Sequence, residues 1–244
     1  MKRFTFGTPE KLVPSYYCKG FSYVGTPVSY PESRFEARMT PRGFLIEFPI
    51  EDDAHIYGFG LQLKQFDQRG RKLRLAVNAD PASANGDSHA PVPFFVTNKG
   101  YGMYFDTARY VEVYCGYRKH TGAVKADNGE SRVMTSTDEL YAVRESCGAV
   151  MSVLIPGAQG VDVYVFEGKK ITDIVSEYNM LSGGGADVPE WGLGVFYRCC
   201  GQYNQEQVLG MADYFRSHDL PCDILGLEPG WQSHAYSCSW AWSE

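Results

Sequence analysis

The amino-acid sequence predicts a mainly β fold followed by an α/β segment. We expect an antiparallel β-sandwich over residues 1–182 and a linker with the start of a β/α region over residues 183–244. Three observations support this division. Short apolar runs separated by Gly- and Asn-containing turns fill the first part, which is typical of sandwiches. Ser182-Gly183-Gly184-Gly185 is the one clear linker. Beyond it, a strand–helix–strand pattern predicts two parallel strands.

The predicted sandwich strands are the apolar runs themselves. They are Gly43–Phe48, Phe94–Thr97, Gly102–Phe105, Tyr110–Tyr114, Ala142–Arg144, Ala149–Ile155 and Val161–Phe166. Asn98-Lys99-Gly100, which lies between two of these runs, predicts a β-hairpin. Aromatic residues make up 14% of the chain. We interpret this excess mainly as core packing, with sugar-stacking surfaces as the alternative.

One segment interrupts the strand pattern. After Val77 the chain is long, small and polar, and apolar strands flank it on both sides. Long irregular loops are usually functional or disordered, and the flanking strands favour a functional loop at about residues 78–93. Asp80 and His89 are its candidate functional residues. The alternatives are a solvated turn residue for Asp80 and a structural hydrogen bond for His89, which has no partner at metal-ligand spacing.

The helical pattern begins at the end of the sandwich. Lys170–Leu181 is predicted to be a helix that Thr172 caps, with one apolar face formed by Ile174, Val175, Tyr178 and Leu181. After the linker, the predicted elements are strand Trp191–Tyr197, helix Asn204–His218 with Asn204 as its cap, and strand Cys222–Leu227. The apolar face of the second helix is expected to consist of Val208, Met211, Ala212 and Phe215.

The last predicted strand ends in a carboxylate. Glu228 is followed at once by the chain breakers Pro229 and Gly230. An acid at this position lies at the carboxyl end of a parallel sheet, where barrel enzymes carry their sites. Glu228 is therefore the main candidate for chemistry, and a surface acid that caps the next turn is the alternative. The tryptophans that follow either stack on a sugar or pack beneath a further element: Trp231, Trp240 and Trp242.

Composition excludes several classes of partner. The net charge is −6 and Lys and Arg form no cluster, which argues against nucleic acid. No run approaches the ~18 apolar residues of a membrane span, so no membrane partner is expected. The seven cysteines are odd in number and lack zinc spacing, which predicts reduced thiols, no metal and a cytoplasmic location. The N-terminus also lacks the apolar run of a signal peptide. No phosphate loop or nucleophile motif is present, and we expect no cofactor.

Six motifs between His55 and Trp231 resemble, in order, those of glycoside hydrolase family 31, the α-glucosidase and α-xylosidase family. The motifs are His55–Gly60, Asp67–Gly70, Asn78–Asp80, the hairpin His89–Phe95 with Gly100–Asp106, Asp162–Gly168 with Ile171–Tyr178, and Val188–Gly194. The resemblance implies a galactose-mutarotase-like sandwich followed by a (β/α)8 TIM barrel. It also implies retaining, exo-acting hydrolysis of α-glycosides, in which one aspartate is the nucleophile and another is the acid and base.

The resemblance assigns no catalytic residue within these 244 residues, because both family aspartates lie on later barrel strands. The chain is therefore expected to be an inactive N-terminal fragment. Glu228 and Asp80 match substrate-binding aspartates of the family, and Trp231 completes the expected saccharide-binding residues. Glu228 replaces an aspartate, and its extra methylene moves the carboxylate by about one C–C bond length of ~1.5 Å. The resemblance implies an α-glucoside as substrate, and the changed carboxylate position makes an α-galactoside or an α-N-acetylgalactosaminide the alternatives.

Two other functions are open on the sequence. A non-catalytic carbohydrate-binding module could use the same sandwich. A mutarotase-like isomerase would require a His and Glu pair facing a cleft, with His55 or His120 as the histidine. Whether the complete protein forms a homo-oligomer is also open.

Overall fold

The structure is a computed structural model that describes residues 1–11, 25–78, 85–120, 146–185, 187–234 and 241–242. The chain separates into two compact units, Met1–Gly184 and Gly185–Glu244. Neither α-helix in the described ranges has the length and apolar composition that a bilayer span demands.

The first unit contains ten described strands in two antiparallel sheets. The strands are β1 (Lys2–Gly7), β2 (Glu36–Thr40), β3 (Gly43–Ile50), β4 (Ile56–Gly60), β5 (Lys72–Leu75), β6 (Pro91–Thr97), β7 (Tyr101–Asp106), β8 (Val111–His120), β9 (Ser146–Pro156) and β10 (Gly160–Glu167). One sheet has the order β1-β10-β7-β6-β4 and the other β2-β3-β9-β8-β5. The predicted antiparallel sandwich is confirmed.

Aromatic rings from both sheets form the core between them. The Phe48 ring on β3 lies 6.2 Å from Phe95 on β6 and 6.4 Å from Phe105 on β7. All three side chains are fully buried. Burying one such side chain stabilises the fold by about 1.5–3 kcal/mol. The interpretation of the aromatic excess as core packing therefore holds for these residues.

Most predicted strands of the sandwich are present, and their bounds differ by a few residues. The predicted hairpin is also present, because β6 and β7 pair through Phe94 and Tyr104 on either side of Asn98–Gly100. Gly100 has a φ of +80°, which favours glycine at this turn. The predicted strand Ala142–Arg144 lies outside the described residues, and strands β1, β2, β4 and β5 are not among the predicted ones.

Helix α1 (Ile171–Leu181) follows β10, and its predicted cap was wrong. The cap is Lys170, whose backbone N–H donates to the Asp173 carboxylate at 3.0 Å, so Thr172 lies inside the first turn. The predicted apolar face is also partly wrong, because Val175 is exposed. Ile174 is buried against the outer face of the first sheet, where Tyr178 and Leu181 also pack.

The second unit is a strand–helix–strand arrangement with short strands. β11 (Phe196–Arg198), helix α2 (Gln205–Ser217) and β12 (Ile224–Gly226) follow one another, and the two strands pair in parallel as predicted. Asn204 caps α2, since its side chain accepts from the Gln207 N–H at 2.9 Å. The predicted cap is confirmed here.

The predicted bounds of both strands in this unit were wrong. Glu190–Leu193 is a 3₁₀ helix, because the Gly192 N–H donates to the Pro189 carbonyl at 2.8 Å. Strand pairing starts only at Phe196, which faces Ile224. Before that point the pairing is irregular. The Asp223 carboxylate accepts from the Val195 N–H at 2.8 Å, while the Val195 carbonyl accepts from the Asp223 and Ile224 N–H groups at 2.9 and 3.2 Å.

Candidate functional site

The carboxyl ends of β11 and β12 lie side by side, because Arg198 is in register with Gly226. The Cys199 N–H also donates to the Gly226 carbonyl at 2.9 Å, which extends the contact past the end of the strand. Gly226 admits no side chain here, since a Cβ would lie 2.1 Å from the Phe196 ring. The residues that follow the two strands therefore emerge next to each other.

Glu228 lies at this edge and forms an ion pair with Arg198 through the guanidinium Nε and the carboxylate Oε1. The Glu228 side chain is 22% exposed and the Arg198 side chain 71% exposed. Gly201 lies against Glu228, as a Cβ at Gly201 would be 3.3 Å from the Glu228 Cβ. The carboxylate is thus held in place while the guanidinium keeps its outer N–H groups open to solvent.

Pro229–Trp231 forms a 3₁₀ turn directly after Glu228. The Trp231 N–H donates to the Glu228 carbonyl at 3.2 Å, so the turn fixes both residues together. The Trp231 ring lies 4.8 Å from the Trp242 ring at an angle of 55°. A backbone bridge between Gln232 and Trp242 keeps this ring pair in place.

A cavity of about 730 Å³ opens beside these residues. Its lining comes from the segments that follow the two strands and from the first turns of α2: Gly201, Gln202, Tyr203, Asn204, Gln205, Val208, Leu209, Leu227, Gly230, Trp231 and Trp242. Partial desolvation raises the pKa of Tyr197 on β11, and the nearby Tyr203 hydroxyl raises it further. An apolar and aromatic wall with a few polar groups is typical of small-molecule sites.

Asp80 lies outside the described residues, so its position is a matter for experiment. The two ends of its loop are described. Asn78 N–H donates to the Ser88 carbonyl at 2.9 Å, and Ser88 N–H donates to the Ala76 carbonyl at 3.1 Å. The loop therefore leaves and rejoins the sandwich at one place, and β6 begins at Pro91, within the approximate end that the sequence predicts.

The other histidine and tryptophan candidates have different surroundings. His55 Nδ1 lies 2.6 Å from the Asp67 carboxylate on an exposed surface, so its acidic partner is an aspartate and not the glutamate that the isomerase alternative requires. The His120 side chain and Trp240 lie outside the described part of the chain. His89 lies shortly before β6 and is exposed.

Sequence reasoning missed Arg198. The signal was present, because a basic residue ends the first strand of the parallel pair and an acid follows the second. Only the register of the two strands brings these residues together, and a register cannot be read from two short apolar runs.

Comparison with known proteins identifies similar sequences and structures. Residues 28–113 match the family model of the glycosyl hydrolase 31 N-terminal galactose mutarotase-like domain. This part of the chain therefore resembles the N-terminal domain of glycoside hydrolase family 31. The chain is 22% identical over 194 residues to an α-xylosidase of Lactiplantibacillus pentosus, covering 79% of the chain and 22% of that protein.

Two further relatives show the same partial coverage. α-Glucosidase 2 of Bacillus thermoamyloliquefaciens is 26% identical over 197 residues, which are 78% of this chain and 21% of that protein. The solved structure of a Flavobacterium johnsoniae family 31 dextranase with glucose matches with a TM-score of 0.58 and 22% identity, covering 83% of this chain and 21% of that one. The chain thus spans about a fifth of the length of these relatives.

Proposed function

We propose that this chain supplies the sandwich and the first two barrel strands of a retaining, exo-acting hydrolase of α-glycosides. The observation that carries the proposal is the position of Glu228, at the carboxyl end of a parallel strand in a chain that resembles family 31. Barrel enzymes build their active sites at that end of the sheet. The relatives named above are an α-xylosidase, an α-glucosidase and a dextranase, which supports an α-linked saccharide as substrate.

Glu228 is proposed to bind hydroxyl groups of the sugar. A carboxylate accepts hydrogen bonds from two neighbouring hydroxyls, and its charge makes these bonds stronger than neutral ones. Arg198 orients that carboxylate through the ion pair. Trp231, beside the cavity, is proposed to cover the apolar face of the sugar, and Asp80 to contact it from the sandwich loop.

No residue of the chain is proposed to be the nucleophile or the acid and base. Retaining glycosidases use two carboxyl groups about 5–5.5 Å apart. Among the described residues that directly follow β11 and β12, only Glu228 carries a carboxylate, and Arg198 neutralises it. We therefore place the catalytic pair outside these 244 residues. Large apolar side chains left exposed in the second unit fit this proposal, because further barrel elements would cover them: Leu193, Phe196 and Leu209.

The identity of the sugar is proposed from the position of the Glu228 carboxylate. The longer side chain places its carboxylate differently from an aspartate at the same strand end, and the ion pair with Arg198 fixes that position. An α-glucoside is the first expectation. Because the shifted carboxylate can bind different sugar hydroxyls, an α-galactoside and an α-N-acetylgalactosaminide are the alternatives.

The test is hydrolysis of 4-nitrophenyl α-glycosides by the full-length product of the gene. The panel contains the gluco, xylo, galacto and N-acetylgalactosamino compounds, and proton NMR identifies the anomer released first. We expect hydrolysis of at least one compound with the α-anomer appearing first. No hydrolysis of any compound, or a β-anomer as first product, would overturn the proposed function.

A cytoplasmic location stays a prediction. The described thiols of four cysteines are unpaired: Cys115, Cys199, Cys200 and Cys222. Burial raises the pKa of the Cys115 thiol to about 12, so this thiol is inert at neutral pH. Fractionation of cells that express the tagged protein would test the location, and recovery of the protein outside the cytoplasm would contradict it.

A further inference from the structure

A small cleft lies on the outer face of the first sheet, where β7, β10 and the end of α1 meet. We call it the tyrosine cleft, and it has a volume of about 250 Å³. Its lining consists of Tyr104, Asp106, Tyr164, Tyr178, Leu181 and Ser182, all within the first unit. It is smaller than the ~300–1,000 Å³ of pockets for drug-sized ligands, so its size suits a single ring.

Three tyrosine rings form the wall of the tyrosine cleft. The Tyr104 ring lies 6.1 Å from Tyr164 and 5.4 Å from Tyr178. Burial raises the pKa of Tyr104, so its hydroxyl stays protonated and donates to the Asp106 carboxylate at 3.2 Å. All three side chains are partly exposed, so they offer apolar ring surface together with polar tips to a ligand.

Two carboxylates face each other across neighbouring strands, and one of them, Asp106, lines the tyrosine cleft. Asp106 on β7 is directly opposite Asp162 on β10 in the antiparallel register. Like charges in that position destabilise a sheet. Each carboxylate already accepts one hydrogen bond through its Oδ1, from Tyr104 at 3.2 Å and from Thr5 at 2.5 Å. The pair therefore lowers stability locally and keeps further acceptor capacity on an open strand surface.

A guanidinium completes the group. Arg3 on β1 is in register with Tyr164. A hydrogen bond to the Tyr164 hydroxyl raises the pKa of Arg3, and the nearby charges of Asp162 and Asp106 raise it further. Donor and acceptor groups thus surround the aromatic wall without a large excess of either charge. This combination disfavours a free cation or anion and favours a neutral ligand with many hydroxyl groups, whose O–H groups donate to carboxylates and accept from Arg3.

We propose that the tyrosine cleft binds one pyranose ring of a neutral saccharide. The tyrosine rings cover the C–H face of the sugar, Asp106 and Asp162 accept from adjacent hydroxyls, and Arg3 donates to a sugar oxygen. This second saccharide site is built from other residues than Glu228 and does not depend on the proposed hydrolase activity.

The test is affinity electrophoresis of the 244-residue chain in native gels that contain dextran, soluble starch or xyloglucan. We expect at least one polymer to retard the wild-type chain. The double variant Asp106→Asn/Asp162→Asn should lose at least fivefold in apparent affinity, while its melting temperature stays the same or rises because the like charges are gone. Asp52→Asn, an exposed aspartate in the turn after β3, is the matched control and should bind like wild type.

A further variant separates the possible results. Tyr164→Ala removes ring surface and leaves both carboxylates in place, and it should also lose retardation. The proposal can therefore still be tested if the double variant fails to fold. Retardation by none of the polymers, or unchanged retardation of the folded Asp106/Asp162 and Tyr164 variants, would overturn the proposal.

Discussion

The Nε of Arg198 pairs with the Oε1 of Glu228, so the last residue of β11 holds the carboxylate that follows β12. Exposed ion pairs contribute only ~0–1 kcal/mol to stability, and the Arg198 side chain is largely exposed. The pair is therefore more important for the direction of the Glu228 carboxylate than for the free energy of unfolding.

Replacing Arg198 should affect substrate binding more than stability. In the full-length gene product, we expect Arg198→Met to lower kcat/KM by about tenfold, or ~1.4 kcal/mol, mainly through a higher KM. Arg198→Lys should retain part of the activity, since a lysine keeps the charge but loses the planar donor group. Steady-state kinetics and urea denaturation measure both effects. A loss in kcat alone, with unchanged KM, would contradict a positioning role.

The 244-residue chain on its own should not hydrolyse 4-nitrophenyl α-glycosides. The residues directly following its two described parallel strands offer one carboxylate, whereas the retaining reaction requires two. Release of nitrophenol over several hours, compared with a mock purification, measures this. Turnover that Glu228→Ala abolishes would show that the chain carries its own catalytic group.

Phe48 tests the packing between the two sheets. Its ring is 1% exposed and contacts aromatic rings of the opposite sheet. Phe48→Ala should lower the free energy of unfolding by about 3–5 kcal/mol. Phe66→Ala is the matched control, since this ring is 80% exposed and its loss should stay within about 0.5 kcal/mol. Urea denaturation gives both values, and equal effects would contradict the described core.

Asp67 should stabilise the sandwich at neutral pH and lose this effect in acid. Burial raises the pKa of its carboxyl, but hydrogen bonds from His55 and from the Arg69 and Ile56 N–H groups outweigh burial and hold the pKa below the ordinary 3.8. A depressed folded-state pKa gives stability that is present above the unfolded pKa and is lost as pH falls through the folded one.

The measurement is the difference in the free energy of unfolding between wild type and Asp67→Asn at pH 7 and pH 3. We expect a difference below about 1 kcal/mol at pH 7, because the group is partly exposed, and a smaller one at pH 3. Asp52→Asn should show no such trend. A difference that grows in acid would contradict the assignment.

The sequence predicts the sandwich strands well where the signal is a turn residue or an alternation of apolar and polar residues within a few positions. Asn98–Gly100 marks its hairpin because the turn needs a residue with positive φ, and Gly100 provides it. The strands without a prediction have a different composition. β5 alternates charged and buried residues over only four positions, and β4 contains two glycines with a bulge between them.

The errors arose where a tertiary or side-chain contact replaces the local pattern. Trp191–Tyr197 is apolar enough for a strand, yet backbone bonds close a 3₁₀ helix at Glu190–Leu193. Thr172 is a good capping residue by type, but the helix starts one residue earlier, with Lys170 as its cap and the Asp173 carboxylate accepting from the Lys170 N–H. At the site, Glu228 could be predicted from its position after a strand, whereas Arg198 required the parallel register.

The central claim is that Glu228 binds substrate in an α-glycoside hydrolase, and kcat/KM of Glu228→Gln in the full-length gene product tests it most directly. Hydrogen bonds to a charged group contribute about 1.5–3 kcal/mol, so we expect a loss of roughly 10- to 150-fold. Glu190→Gln, the same change at the amino end of the unit, should keep wild-type activity. A kcat/KM of Glu228→Gln within twofold of wild type would contradict the account.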